Sequence, residues 1–359
     1  MIKAVLFDMD GVLIDSERYI SQAAIAYFAS LGIKVTPEDF VPFVGSGEDR
    51  YLGGVAQNYG VELDIEQAKL DTYDIYEQLI KGKEEALPGV LRFIENAHKA
   101  GLLLAIVTSA DRRKMEISME VMGLDPSWFK VLINGKDVQR KKPFADIYQL
   151  AATQLQLEAH QCIVFEDAPN GVRSAKAASM LCGALATSFS KEILRTEGAD
   201  FVINTLDDIE DFANIEQFNT LLLRHRAFMQ AVQAKEHAYA PYSNYKVGAA
   251  VVSGATKKIY SGANVENSSY GATICAERAA IVKMISEEGK QAIELVIVVT
   301  NDNPPAVPCA LCLQVFAEFA SAKTPVYLCD GELNHRMFLF EELLPHPFVF
   351  PSASDAPKP

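Results

Sequence analysis

Residues 2–7, IKAVLF, form a short and mostly apolar run without polar alternation, the pattern of a strand buried on both faces. The runs LLLAIV at 102–107 and CIVF at 162–165 repeat it, and ADFVI at 199–203 reads as the last strand of the same sheet. Between them, stretches such as SQAAIAYFASLGI and EQAKLDTYDIYEQLIKG space apolar residues at three and four positions with alternating charge, which predicts helices. Buried strands alternating with helices predict an α/β domain with a doubly wound parallel sheet. The helical stretch over about 16–85 falls between the first two strands and predicts a cap on that sheet. Past residue 213 the pattern changes. Leu221 to Ala238 has helical spacing that ends at Ala240-Pro241, 247–252 and 258–261 read as two strands joined by a glycine-containing turn, and PVYLC at 325–329 is a further strand. Two domains are therefore expected, 1–215 and 216–359, with a linker near 213–219 and a disordered Ser/Ala/Pro-rich tail at 351–359.

Composition narrows what such a chain binds. Its 359 residues are 49% apolar, enough for two cores, and 33 basic against 47 acidic side chains leave a net charge of −14. With no Lys/Arg run, a polyanion would be repelled, so small-molecule substrates are expected and nucleic acid is not. No apolar stretch approaches membrane-spanning length, and the opening run lacks the pattern of a signal peptide. Cys162, Cys182 and Cys329 are scattered, so the six cysteines make no disulfide framework; the chain is expected in the cytosol.

The chemistry of the second half centres on Cys275-Ala276-Glu277-Arg278, which opens the apolar helical stretch AERAAIVKMI and is answered by Pro308-Cys309-Ala310-Leu311-Cys312 opening another. Two thiolates three apart at one helix start, with a third from a second helix start, can converge on a tetrahedral Zn²⁺ and leave its fourth position to water. A structural zinc knuckle would need a second Cys-x-x-Cys pair. Glu277, two residues from the first cysteine, is a carboxylate beside the metal and suits a proton carrier.

In the first half, the strand at 2–7 ends in Asp8-Met9-Asp10-Gly11, where open α/β sheets bind ligands. The strand at 102–107 ends in Thr108-Ser109, Lys142-Pro143 precedes a helix, and the strand at 162–165 ends in Glu166-Asp167. Taken in this order, the four motifs resemble the haloacid dehalogenase superfamily of phosphohydrolases, in the group that includes β-phosphoglucomutase, over about residues 1–213. The resemblance implies Asp8 as the nucleophile, Asp10 as the acid and then the base, and Mg²⁺ held by Asp8, Asp167 and the backbone carbonyl of Asp10. It further implies Thr108, Ser109 and Lys142 on the phosphoryl oxygens, and Glu166 orienting the metal shell. Mutases of the group carry an arginine where Gly47 stands, so the loop Val44-Gly45-Ser46-Gly47-Glu48-Asp49-Arg50 implies a phosphatase, with Arg50 one helical turn away as the alternative cation.

From about 219 to 350, APYSNYKVGAAV, GANVENSSYGATICAERAAI, PCALCLQ and ELLPHPF fall in the order of homotetrameric, three-cysteine cytidine deaminase, which the stretch resembles. That implies a three-layer α/β/α domain, Cys275, Cys309 and Cys312 as zinc ligands and Glu277 as proton shuttle. It also implies Asn264 and Glu266 on the ribose, Tyr245 and Phe348 as candidates for the base pocket, and a homo-oligomer, a tetramer, taking cytidine or deoxycytidine. The family pattern Pro-Cys-Gly-x-Cys-Arg-Gln is altered at Ala310 and Leu313, which leaves Arg278 as the donor offsetting thiolate charge.

Three functions follow from these resemblances. The chain is a phosphomonoesterase and deaminase acting in sequence in pyrimidine salvage; or it joins the deaminase to an unrelated phosphatase acting on a sugar phosphate or pseudouridine monophosphate; or its second domain only binds nucleosides and regulates the first.

Overall fold

The computed structural model describes residues 1–43, 47–83, 86–331 and 335–349 and, of Glu48, the backbone. Residues 44–46 of the expected cap loop and the expected tail at 351–359 lie outside the described residues. The chain divides into two compact units, Met1–Leu221 and Leu222–Pro359.

In the first unit, β1 (Ala4–Phe7), β2 (Leu103–Val107), β3 (Val131–Ile133), β4 (Cys162–Glu166), β5 (Leu181–Leu185) and β6 (Phe201–Ile203) form one sheet in the order β3-β2-β1-β4-β5-β6. All its pairings are parallel, with Phe7 opposite both Ile106 and Phe165. Parallel strands need crossovers, and crossover helices cover both faces, which is why these strands are apolar without alternation. Phe7, Phe93 and Phe165 pack with ring centroids 5.4–6.0 Å apart on one face. Between β1 and β2 the chain forms α1 (Glu17–Ser30), α2 (Glu48–Asn58) and α3 (Ile65–Ile80), followed by α4 (Val90–Lys99). The first three share a core of their own around Phe28, Phe40, Leu52 and Val55. Asp64 starts α3 by accepting from Gln67 N at 3.2 Å. Next come α5 (Arg112–Met122), α6 (Asp146–Leu155), α7 (Pro169–Ala177) and α8 (Lys191–Thr196).

The stretch read as a linker at 213–219 differs. From Ile215 onward it is the start of a 22-residue helix, α9 (Ile215–Glu236), which crosses the division between the units. Its first turns hold no glycine or proline, and Phe218 is fully buried, so this stretch continues as helix with one face in the core.

The second unit is built on a mixed sheet in the order β11-β10-β9-β7-β8, from β7 (Gly248–Ser253), β8 (Ile259–Ala263), β9 (Ile293–Val299), β10 (Pro325–Cys329) and β11 (His335–Leu339). Only β9 and β10 pair in parallel. Side chains alternate across it. Ala249, Val251, Val296 and Val298 pack with α10 (Ala276–Glu288) and α11 (Ala310–Phe316), while Ala250, Val252, Leu295 and Ile297 pack with α9. The result is the three-layer α/β/α arrangement. Gly262 sets the closeness of α10 to β8: a Cβ there would lie 2.6 Å from Ala280 N and 2.7 Å from Ala276 O.

Among the described residues, no helix is long and apolar enough to cross a membrane.

Candidate functional site

The parallel sheet of the first unit brings the ends of β1, β2 and β4 side by side, and with them Asp8, Thr108, Glu166 and Asp167, all at most 8% exposed. Lys142, reaching in from the segment before α6, donates to Asp8 Oδ1 and to Glu166 Oε1, both at 2.6 Å. Burial pulls the Lys142 ammonium down, but Asp8 and Glu166 outweigh it and hold it above its ordinary range. Burial pushes the Asp8 carboxyl up to about 7 against the pull of Lys142, and pushes Asp167 well above the usual carboxylate range, with the charges of Glu166 and Asp8 adding to it. Three carboxylates whose oxygens lie within 4.8 Å of one another are thus set against one ammonium. A buried, all-oxygen donor set with excess negative charge fits a hard divalent cation such as Mg²⁺.

Glu166 is the most constrained of the three. Its Oε1 also accepts from Tyr148 OH at 2.8 Å, and its Oε2 from the backbone N–H groups of Asp167 and Ala168 at 3.1 and 3.3 Å. With four donors on one carboxylate, Glu166 holds Lys142 and the loop after β4 in place. Asp10 is likewise engaged, accepting from Ser16 Oγ on Oδ1 and from Lys114 Nζ at 2.8 Å on Oδ2. Thr108 Oγ1 accepts from Ala110 N at 3.1 Å and so shapes the loop in which Ser109 stands. These residues line a cavity of ≈ 430 Å³ shared with the helices of 16–85. Arg50 is exposed and does not line it. Sequence reasoning missed Tyr148, Lys114 and Ser16, whose types on helix faces or in a loop carry no motif.

In the second unit Cys275 caps α10 and Cys309 caps α11, with Cys312 one turn further on. The Sγ atoms of Cys309 and Cys312 are 3.8 Å apart, and all three sulfurs lie within 4.8 Å of one another. Arg278 Nη2 donates to Cys275 Sγ at 3.4 Å and to Thr273 O at 2.7 Å. The hydrogen bond from Cys312, followed by Arg278, holds the Cys275 thiol down to about 5 although burial opposes it. Three converging thiols, one already favoured as thiolate, fit Zn²⁺ with a position left open. Glu277 is 5% exposed, and burial raises its carboxyl above the ordinary range.

Leu313 is buried in the apolar core with Phe316 and Met284. A leucine there fills the interior. Asn264 accepts from Val247 N at 2.9 Å and donates to Tyr245 O at 2.8 Å. Glu266 accepts from Tyr242 N at 2.9 Å, Ser243 N at 3.2 Å and Ser243 Oγ. Both expected ribose residues therefore also hold the 242–247 loop. Tyr245 donates to Asp302, and burial followed by that bond raises its hydroxyl above the ordinary range. Gln314 on α11 pins the backbone N–H and C=O of Phe348 at 3.0 and 2.8 Å, yet the Phe348 ring is 68% exposed.

Residues 5–185 match the family described as haloacid dehalogenase-like hydrolase, and residues 223–329 that described as cytidine and deoxycytidylate deaminase zinc-binding region. A cytidine deaminase of Halalkalibacterium halodurans is 40% identical over 132 residues, 37% of this chain and 98% of that protein. The protein SUPPRESSOR OF QUENCHING 1, chloroplastic, of Arabidopsis thaliana is 37% identical over 211 residues, 58% of this chain but only 20% of the relative's length. Among solved structures, CbbY from Rhodobacter sphaeroides in complex with phosphate superposes with a TM-score of 0.54 at 25% identity over 60% of this chain and 100% of that one. A mutant of that protein in complex with xylulose-(1,5)bisphosphate gives 0.53 at 27% identity, over 58% and 96%.

Proposed function

Because the chain belongs to the haloacid dehalogenase-like hydrolases over residues 5–185 and to the cytidine and deoxycytidylate deaminases over residues 223–329, we propose that it is a bifunctional pyrimidine-salvage enzyme. The first unit hydrolyses a pyrimidine nucleotide, and the second deaminates the resulting cytidine or deoxycytidine. The observation that carries this reading is that one chain holds two complete constellations, Asp8-Asp10-Lys142-Asp167 and Cys275-Glu277-Cys309-Cys312.

At the first site an Asp8 oxygen attacks phosphorus and the bond to the leaving alcohol breaks, giving an aspartyl phosphate. Asp10 gives its proton to the departing oxygen and then takes one from the water that hydrolyses the aspartyl phosphate, returning both residues to their starting state. Lys142, Thr108 and Ser109 bind the phosphoryl oxygens and offset the charge that develops on them. Asp8, Asp167 and the carbonyl of Asp10 would hold Mg²⁺, which when bound neutralises phosphoryl charge. Glu166 acts through Lys142, whose position it fixes.

At the second site Cys275, Cys309 and Cys312 would hold Zn²⁺, which when bound supplies Lewis-acid activation of water. Glu277 takes a proton from that water, passes it to the ring nitrogen of the base and delivers a proton to the departing ammonia; water and cytidine become uridine and ammonia. Arg278 offsets thiolate charge. Ribose recognition at Asn264 and Glu266 would use the second amide N–H and the remaining lone pairs. Tyr245 supplies one aromatic wall of the base pocket. The exposed Phe348 ring, fixed at its backbone beside the thiol-bearing helix, supports completion of the pocket in a homo-oligomer, a tetramer. Six free cysteines support a reducing, cytosolic setting.

The order of the two reactions rests on charge. A pocket with Glu266, Glu277 and three thiols disfavours a 5′-phosphate, so the phosphate leaves first. A time course on cytidine 5′-monophosphate alone should show phosphate and transient cytidine before uridine and ammonia, and Asp8→Asn should stop all four while free cytidine is still deaminated. Uridine 5′-monophosphate appearing ahead of cytidine would refute the order. The second reading, a phosphatase for an unrelated sugar phosphate, is favoured by the bisphosphate named for the CbbY complex.

A further inference from the structure

The cavity over Asp8 reaches beyond the phosphoryl site, and its outer part has a composition of its own. Among the described residues, three cationic ones line the cavity, and each already faces a carboxylate. Lys142 lies 2.6 Å from Asp8 and Glu166, Lys114 lies 2.8 Å from Asp10, and Arg173 lies 2.8 Å from Glu197. Lys142 serves the phosphoryl group that reacts. Burial raises the Glu17 carboxyl above its ordinary range, and the charge of Lys114 opposes that shift, so Lys114 is shared between Asp10 and Glu17.

Asp15 and Glu17 line the cavity as well, beside an apolar wall of Ile20, Phe43, Tyr51 and Phe189. A second phosphate placed beside Asp15 and Glu17 would meet two carboxylates and find Lys114, Lys142 and Arg173 each matched, which leaves Lys141, whose ammonium abuts Gly47, as the competing cation; like charge is what specificity uses to reject a ligand. An uncharged alcohol meets the opposite conditions. Rings gain flat apolar contact with Phe43, Tyr51 and Phe189, and N–H or O–H donors find acceptors in Glu17 and Asp15. The volume, ≈ 430 Å³, is within the range of small-molecule sites, about 300–1,000 Å³.

We propose that the first site selects phosphomonoesters whose alcohol half is uncharged, ring-bearing and rich in hydrogen-bond donors, the chemistry of an amino-bearing nucleoside, and that Glu17 and Asp15 exclude substrates carrying a second phosphate. This rests on the phosphatase reading of the site and narrows its substrate class.

The test is kcat/KM of the full chain with Mg²⁺ on p-nitrophenyl phosphate, cytidine 5′-monophosphate and fructose 1,6-bisphosphate. The nucleotide should exceed the bisphosphate at least tenfold. Glu17→Lys should shift that ratio at least tenfold toward the bisphosphate, and Glu17→Gln should shift it part of the way. Because both substrates are read on one preparation, partial misfolding lowers both rates and leaves the ratio intact. A wild-type preference for the bisphosphate overturns the inference alone, and Lys141, whose ammonium abuts Gly47, would then be the cation that takes it. A ratio unmoved by both variants overturns the role of Glu17, and with it the exclusion. Inactivity on p-nitrophenyl phosphate as well would overturn the phosphatase reading, and this inference with it.

Discussion

Gly171→Ala sets local propensity against tertiary packing. Gly171 is the third residue of α7, and alanine in a helix is favoured over glycine by about 1 kcal/mol, so the local expectation is a modest gain in stability. The structure predicts the reverse. A Cβ at 171 would lie 1.8 Å from both Cδ and Oε1 of Glu166 and 2.1 Å from Oε2, and that carboxylate is 1% exposed with four donors on it. Something must move, and overpacking of this kind costs about 1–3 kcal/mol. Net of the propensity gain, the first unit should lose up to about 2 kcal/mol, which for a unit of this size lowers Tm by up to about 8 °C. Displacing Glu166 also releases Lys142 from one of its two carboxylates. Loss of a preorganised charge at the phosphoryl group typically costs about 10²–10³ in kcat. The assay is phosphatase kcat on p-nitrophenyl phosphate with thermal unfolding of the same preparation, and deamination of free cytidine as internal control. A raised Tm with kcat within threefold of wild type would refute the assigned role of Glu166.

Two further predictions concern the second unit. Glu277→Gln should keep zinc, measured as metal per chain, while cytidine deamination falls by about 10²–10⁴, the worth of a positioned acid/base; activity within tenfold of wild type at full zinc would remove Glu277 from the proton path. His225, 1% exposed on α9, is pushed down to about 3 by burial, with Arg224 and His335 adding to it. Its folded pKa is below the unfolded value of about 6.5, so the stability it contributes is complete above pH 6.5 and is lost as pH falls toward 3. Between pH 7 and 5 the loss is about 2 kcal/mol. Urea unfolding should show that slope in wild type and a flatter one in His225→Gln, and parallel slopes would contradict the buried neutral histidine.

Much of both sites was legible in the chain because chemistry clusters at element ends. Asp8, Thr108 and Asp167 follow apolar runs with the pattern of buried strands, and parallel strands carry their ends to one edge. Cys275 and Cys309 precede apolar helical stretches, and both prove to be the cap residues of those helices. Partners that come from elsewhere in sequence were not legible. Lys114 reaches Asp10 across 104 residues, and Asp302 receives the Tyr245 hydroxyl across 57. Nothing in a lone lysine or aspartate announces such a meeting.

The sequence by itself determined the two-part α/β architecture, the thiol and carboxylate constellations and the chemistry each supports, since periodicity and residue type are local properties. Tertiary structure alone decided how the charges are matched. It placed Glu166 under four donors and pinned Phe348 by its backbone with the ring exposed. It set Leu313 into the core, and it made residues 215–219 the start of a helix instead of a linker. Each of these depends on which groups leave water together, and burial is a property of the assembled fold that no short stretch of chain contains.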